Sequence, residues 1–260
     1  MTSTALFTVE APGVWRPTDA ARGPWTPDAL HGGPVAALLA HAALPLLDDL
    51  MPARLTVEIV RPVPVDSLTV HARLTRPGRR VRGVVASMVA GETEVATASL
   101  VAIRNAPIPA PEQPTPPPPP GPETGRPAIF TWGGSYEALH NFGVEHSFVA
   151  GGLDEVGPAT DWIRLHVPLV EGEPVHPFER VAVAADFGNG VSRIVDFEQL
   201  LFINPDLTVH VHRLPEGEWV CLDAHTRIGP NGVGVAASDL YDERGPIGNA
   251  LQSLVVDVRR

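Results

Sequence analysis

The chain has 260 residues, 44% of them hydrophobic, and a formal net charge of −11. That length supports one large domain or two of ordinary size, and the acidic balance argues against broad binding to nucleic acid or to an anionic membrane, since phosphates need a dense positive surface. All 19 basic residues are arginine, which excludes Schiff-base lysine chemistry and the lysine of a phosphate-binding loop.

No apolar run approaches the ~20 residues of a membrane helix, and the opening MTSTALFTVEAPGVW lacks the charged and apolar regions of a signal peptide. A cytoplasmic protein is expected. The single Cys221 cannot form an internal disulfide; within WVCLDAH it reads as a small buried hydrophobe.

The first helical pattern is HGGPVAALLAHAALPLLDDL, which opens with glycines and a proline and then runs almost wholly apolar. A helix apolar on nearly all sides is a buried helix. Strand patterns follow: LTVEIVRPVP from Leu55, SLTVHARLTR, a PGRR turn, GVVASMVAG and ATASLVAIR. Residues 105–130 then form the one low-complexity stretch, with five consecutive prolines at 116–120. Proline lacks the N–H that helix and sheet ladder need, so a stiff, extended connector is expected.

Beyond it, ATDWIRLHVPLV alternates as a strand. The second helical pattern, HPFERVAVAADFG, carries Pro177 in its first turn and ends at Gly188. LTVHVHRLPEG from Leu207, EWVCLDAHTRI, a GPNG turn, GVAASDLYD and ALQSLVVDVR then repeat the order of strands and turns seen after Leu55. Both Leu55 and Leu207 have an arginine six residues on, Arg61 and Arg213, and both last strands share Ser-Leu-Val. The chain therefore reads as a duplication, residues 1–104 and 131–260, with 105–130 as the tether.

A buried helix followed by a run of antiparallel strands, twice over, resembles the double-hotdog thioesterases, and specifically the acyl-CoA thioesterase II-like family. LHGGPVAALLAHA, EIVRPVP, RPGRRVRGVVASMVAGETEVATASLVAI, AADFGNG, INPDLTVHVHR and ALQSLVV carry the resemblance. It implies an α+β fold of two tandem hotdog repeats, each an antiparallel sheet wrapped around one long helix. It also implies hydrolysis of a fatty acyl-CoA or related acyl thioester, a role in lipid metabolism, and no cofactor or metal beyond the coenzyme A of the substrate. Assembly of whole chains through sheet edges into homo-oligomers is compatible with it.

The resemblance further implies a water-activating set of an Asp on the second helix, a Ser or Thr at the next strand and a Gln on the last strand. By position these are Asp186, Asn204 and Gln252. Asn204 departs from the family's hydroxyl, although an amide still donates and accepts hydrogen bonds; Thr208 is a lesser substitute. A carboxylate at a helix C-terminus opposes the helix dipole, so Asp186 needs a reason other than helix stability. Gly32 and Gly33, with His31 before them, form a substrate-binding helix start whose N–H groups suit an oxyanion; the start of the second helix near Phe178 is the alternative. Arg79 and Arg80, beside Arg76 and Arg82, suit the phosphates of coenzyme A. Leu38, Leu39, Phe142, Leu200 and Phe202 are candidate walls of an acyl tunnel.

Plainer readings stand beside each of these. Asp186 reads also as a solvated carboxylate at a frayed helix end, Gln252 as a structural hydrogen-bonding group, Asn204 as a turn former before Pro205, HGGP as a helix-packing device, and the arginines as a solvated hairpin that blocks edge pairing. His210, His212 and His225 read as ordinary strand histidines rather than metal ligands. The absence of G-x-S-x-G sets a serine hydrolase aside. A hotdog enoyl-CoA hydratase, which needs a His beside its Asp, is the alternative enzyme, and a non-catalytic acyl-CoA-binding protein the alternative outside catalysis.

Overall fold

The computed structural model describes residues 3–109, 117–131 and 136–259. In the first half, strands β1 (Phe7–Ala11) and β2 (Val14–Pro17) precede helix α1 (Gly32–Ala43), and β3 (Leu50–Ile59), β4 (Leu68–Arg76), β5 (Val81–Ala90) and β6 (Thr93–Arg104) follow it. Alternation sends Leu55 and Val57, Leu68 and Val70, Val84 and Ala86, and Ala98 and Leu100 to one face, where all are buried. Nine residues of α1 are buried as well, as its lack of a polar stripe requires, and it packs against β3, β4, β5 and β6. The β5–β6 hairpin turns at Gly91, whose φ of 61° is open to glycine at little steric cost.

The second half repeats this plan. It contains β7 (Arg126–Ala128), β8 (Val144–Ala150), β9 (Ala159–Leu165), helices α2 (Pro177–Ala185) and α3 (Gly188–Val191), and then β10 (Leu200–Ile203), β11 (Asp206–Val211), β12 (Trp219–Ile228), β13 (Val233–Asp242) and β14 (Gly245–Val258). One antiparallel sheet runs β1-β2-β4-β5-β6-β3-β11-β14-β13-β12-β9-β8-β7, with β10 also on β14. Apart from β7 and β10, that order is the same read outward from the β3–β11 seam in either direction. At the seam Thr56 pairs with Thr208, Leu55 with Val209 and Val57 with Leu207. Thr56 and Thr208 are 152 residues apart, the interval between the two LTV motifs, so the local two-fold axis of the duplication passes through this pair.

α1 and α2 pack against each other, and one hydrophobic core spans both halves. The expected connector is folded at its far end. Pro122–Thr124 make one 3-10 turn and Arg126–Ala128 add β7 to β8. Trp162 Nε1 donates to the Pro120 carbonyl at 2.8 Å and Ser147 Oγ to that of Pro122 at 2.7 Å. Proline has no N–H but keeps its carbonyl, and these bonds dock the run on the second half. Pro117–Pro120 carry neither helix nor strand; residues 110–116, including Pro116, lie outside the described residues. Cys221 is fully buried against Trp162 and Tyr241, and burial pushes its thiol up, which suits the buried-hydrophobe reading.

Candidate active site

The position of Asp186 follows from the packing of the helices. α2 ends at Ala185 with Asp186 as its C-cap, and α3 begins after Phe187. The helices run antiparallel, so the end of α2 lies on the start of α1. A carboxylate unfavourable for its own helix thereby meets the positive end of the other. The approach is close: a Cβ on Gly32 would stand 2.6 and 2.8 Å from the two Asp186 oxygens, and one on Gly33 would stand 2.7 Å from the Val183 carbonyl. Only glycine fits at these positions.

Strand geometry brings in the amides. The strand leading from β10 to β11 is interrupted at Asn204-Pro205, between the Ile203–Val255 and Thr208–Leu251 pairings with β14, because Pro205 has no N–H for a ladder. Asn204 therefore shapes a break in the strand, and it also points inward. Gln252 lies on the buried face of β14, between exposed Leu251 and Ser253. Asp186 Oδ1 accepts from Asn204 Nδ2 at 2.8 Å and from Gln252 Nε2 at 3.2 Å. Gln252 Nε2 also lies 3.1 Å from the Asp186 carbonyl. Asp186, Asn204 and Gln252 are 3%, 8% and 2% exposed, so each polar atom left unpaired would be costly.

Asn189, which the sequence reading passed over, fixes both amides. Its N–H donates to Gln252 Oε1 at 3.0 Å, turning the Gln252 NH2 toward Asp186. Its Nδ2 donates to the Phe202 carbonyl at 3.0 Å and approaches Asn204 Oδ1 at 3.5 Å. A Cβ on Gly188 would lie 2.9 Å from Gln252 Oε1. The signal in AADFGNG was an amide between two glycines immediately after the carboxylate.

His31 is the N-cap of α1. Its Nδ1 lies 3.2 Å from Gly33 N and 2.8 Å from Asp186 Oδ2, and the two contacts compete for one nitrogen. Nδ1 accepts from the Gly33 N–H as the helix cap, and the Asp186 carboxylate stands beside it at ion-pair distance. The Phe187 ring covers the imidazole at 4.6 Å between centroids. Behind Phe187 lies a second His–carboxylate pair, His146 Nδ1 to Asp161 Oδ2 at 2.6 Å, in which burial pushes Asp161 up.

Asp186, Asn204, Asn189, Gly32 and His31 form the polar end of a cavity of about 580 Å³ that is otherwise mainly apolar; Gln252 is not in its lining and reaches it only through Asp186. Val35, Phe130 and Phe187 line it, and Trp25, Phe197 and Phe202 make an aromatic corner, with Trp25 stacked on Phe197 at 4.9 Å. Of the tunnel residues expected, Phe202 lines the cavity; Leu38 and Leu39 belong to the core. Arg79 and Arg80 do not reach it. They sit in the β4–β5 turn next to Arg104, whereas the cavity opens beside residues 59–63 at the other end of β3. The basic residue in the lining is Arg61. Phe178, the alternative helix start, lies at the far end of α2 from Asp186. Glu58 lies in a separate groove on the sheet with His71, and His41 pairs with Glu179. Among the described residues no group of three or more His, Cys, Asp or Glu could hold a metal, and no helix is long and apolar enough to cross a membrane.

An antiparallel sheet around two buried helices, with a mainly apolar cavity and a carboxylate at a helix start, is an arrangement suited to an acyl compound. Residues 21–103 match the family model of the acyl-CoA thioesterase N-terminal domain, and residues 111–256 that of the acyl-CoA thioesterase C-terminal domain. The chain belongs to the acyl-CoA thioesterase family and is a thioester hydrolase. Curated proteins give no sequence match. Among solved structures, a candidate thioesterase II from Thermobifida fusca YX is similar over 99% of this chain and 96% of its own, with TM-score 0.75 at 18% identity. A protein of unknown function with a hotdog fold from Alicyclobacillus acidocaldarius gives 0.73 at 16%, covering 98% and 96%. The acyl-CoA thioesterase II TesB2 of Mycobacterium marinum gives 0.69 at 12%, covering 97% and 95%. At these identities the structural likeness is one of hotdog fold.

Proposed function

We propose that the chain is a double hotdog, with repeats 1–104 and 131–260 and connector 105–130, that hydrolyses a fatty acyl-CoA or related acyl thioester with a water activated at Asp186. The single observation that carries this is the buried Asp186 carboxylate, held by two amides at the polar end of an apolar cavity and against the glycine start of α1. The apolar walls suit an acyl chain. The N–H groups at the start of α1 suit the oxyanion that forms as water adds to the carbonyl carbon, a contribution of about 3–4 kcal/mol per donor in other enzymes. Asn204 and Gln252 keep the carboxylate in one orientation. Asn204 thus supplies a donor where the family has a hydroxyl. The charge of Asp186 favours removal of water's proton whether the carboxylate takes it directly or through a neighbour. No cofactor enters beyond the coenzyme A of the substrate, and the protein acts in cytoplasmic lipid metabolism.

The test is release of free thiol from an acyl-CoA series by the parent and by Asp186→Asn. Thiol release that depends on Asp186 supports the reading; no release with any chain length sinks it. The His31–Asp186 contact supplies the His that the hydratase reading lacked, so enoyl-CoA belongs in the same series. Loss of the double bond without thiol release would favour hydration.

A further inference from the structure

We propose that Arg61 binds a phosphate of the coenzyme A carrier, at the mouth of the cavity whose polar end holds Asp186. This rests on the reading that an acyl-CoA thioester enters that cavity, and concerns only how the carrier is told from a plain thiol. The repeat supplies the comparison. Arg61 and Arg213 stand six residues after Leu55 and Leu207, so the duplication gives each half an arginine at the same place. Arg213 has every N–H donor in use. Nη1 and Nη2 donate to the two Asp242 oxygens at 2.5 and 2.6 Å, Nη1 also to the Leu214 carbonyl at 3.5 Å, Nη2 to that of Gly245 at 3.0 Å and Nε to that of Pro246 at 3.1 Å. Asp242 closes β13 and pairs with Gly245 across the hairpin. Its counterpart at the end of β5 is Ala90, paired with Thr93, and both counterparts keep the 152-residue interval that separates Thr56 from Thr208. A methyl group therefore stands where Arg213 finds its carboxylate.

Arg61 is left with its donors open. Among the described residues its side chain makes no hydrogen bond and no ion pair, and it is exposed in the cavity lining. Its backbone is nonetheless fixed. Arg61 N donates to the Val95 carbonyl at 3.2 Å, Leu30 N just before α1 donates to the Val63 carbonyl at 2.8 Å, and Ile59 N donates to the Pro205 carbonyl at 2.7 Å. Pro205 follows Asn204, which holds Asp186, so Arg61 belongs to the same wall as the catalytic end. The other ionisable groups of that lining are Asp186, His31 and His140, which makes Arg61 the only permanent cation among the described residues facing the space. A planar guanidinium with open donors matches the bidentate recognition of a phosphate. The position suits the carrier rather than the acyl chain: apolar walls take the chain out of water, whereas the phosphates of coenzyme A stay in it, as Arg61 does.

Arg61→Gln is the discriminating variant, because it removes the charge from a side chain with no partner to lose and should fold as the parent does. With the acyl-CoA that the parent cleaves best, KM should rise about tenfold and kcat stay within about twofold, the size of one lost charge-assisted hydrogen bond. With the same acyl group on pantetheine or N-acetylcysteamine, which carry no phosphate, parent and variant should agree. The rise should shrink in high salt. A rise kept with the phosphopantetheine thioester places Arg61 at the phosphate next to pantetheine, and one seen only with whole coenzyme A places it at the nucleotide phosphates; either supports the proposal. An unchanged KM for acyl-CoA would overturn it. So would an equal rise with the phosphate-free thioesters, since Arg61 would then act on the acyl group, as it would toward a chain ending in a carboxylate. A parent that releases no thiol from any of these substrates would remove the thioesterase reading instead. Calorimetry with free coenzyme A then judges Arg61 without turnover, and equal affinities of parent and Arg61→Gln would overturn the assignment.

Discussion

The start of α1 against the end of α2, and the start of α2 against the end of α1, are equivalent crossings in the repeated fold. Each begins with an N-cap histidine, His31 or His176, and His41 follows the first by ten residues as Asp186 follows the second. Their chemistry has diverged. At the first crossing His31 Nδ1 caps Gly33 N at 3.2 Å, and Gly32 and Gly33 bring the helix start up against Asp186 and Val183. At the second, Pro177 removes an N–H, His176 Nδ1 accepts from Phe178 N at 3.1 Å, and Glu179 Oε2 accepts from His176 N at 2.8 Å. His41 stands where the carboxylate would be and contacts Glu179 at 2.9 Å, with the Trp15 ring edge-on to it at 6.2 Å. None of these groups lines the large cavity. A duplicated fold offers two helix starts, each capped by a histidine; only the first, through Gly32, lines the cavity where chemistry can follow.

Substituting the equivalent residues tests this contrast most strongly. Asp186→Asn should lower turnover by about 10³-fold or more, because it removes the charge that drives proton transfer and keeps the shape. His41→Asn should leave turnover within about threefold. Steady-state kinetics of both, with circular dichroism to confirm folding, decides the matter, and equal losses would mean that the two crossings work together. Next in size are the two helix starts. Phe178→Ala removes a fully buried ring and should cost about 3–5 kcal/mol of stability, with the rate per folded molecule unchanged in urea-calibrated assays. Gly33→Val should cost about 1–3 kcal/mol by overpacking and also abolish most activity, since its Cβ would meet the Val183 carbonyl at 2.7 Å. Full activity in Gly33→Val would mean that the glycines serve packing alone.

The contrast was only partly legible in the sequence. Repetition of the LTV motif, the turns and the Ser-Leu-Val strands carried the duplication, because each is a local pattern of period two or a turn residue. Gln252 and Asn204 were assigned only through the resemblance to the family; alternation and the following proline by themselves read as a structural hydrogen-bonding group and a turn former. What local pattern does not encode is which ends of which elements meet. Arg79 and Arg80 looked like phosphate partners from their charge, yet the direction of β5 puts their turn at the end of the sheet away from the cavity. His31 and Asp186 are far apart in the chain and belong to different repeats, so their contact depends on the antiparallel packing of α1 on α2. Asn189 holds Gln252 through a backbone N–H, which any residue type except proline supplies, and its side chain reaches Phe202 and Asn204 on a strand that local pattern does not place beside it.

The smallest effect concerns the closed crossing and its pH dependence. The hydrogen bond to Glu179 raises the His41 pKa against the opposing effect of burial, with Glu173 adding at 3.6 Å. A raised folded value means that the stability His41 contributes is fully present below its unfolded value of about 6.5 and is lost as pH rises through the folded value. His176 shifts the other way, lowered first by burial and then by nearby Arg180 and His41 despite Glu179. Its contribution is present above its unfolded value and is lost as pH falls through the folded one, so the parent's own stability profile mixes opposite slopes. Comparison with His41→Gln separates them. The variant should be less stable than the parent by about 1–2 kcal/mol near pH 5.5, and the gap should narrow steadily toward pH 9. Urea unfolding across that range measures it. A gap that stays constant would show that His41 braces the crossing by shape, with no charge held against Glu179.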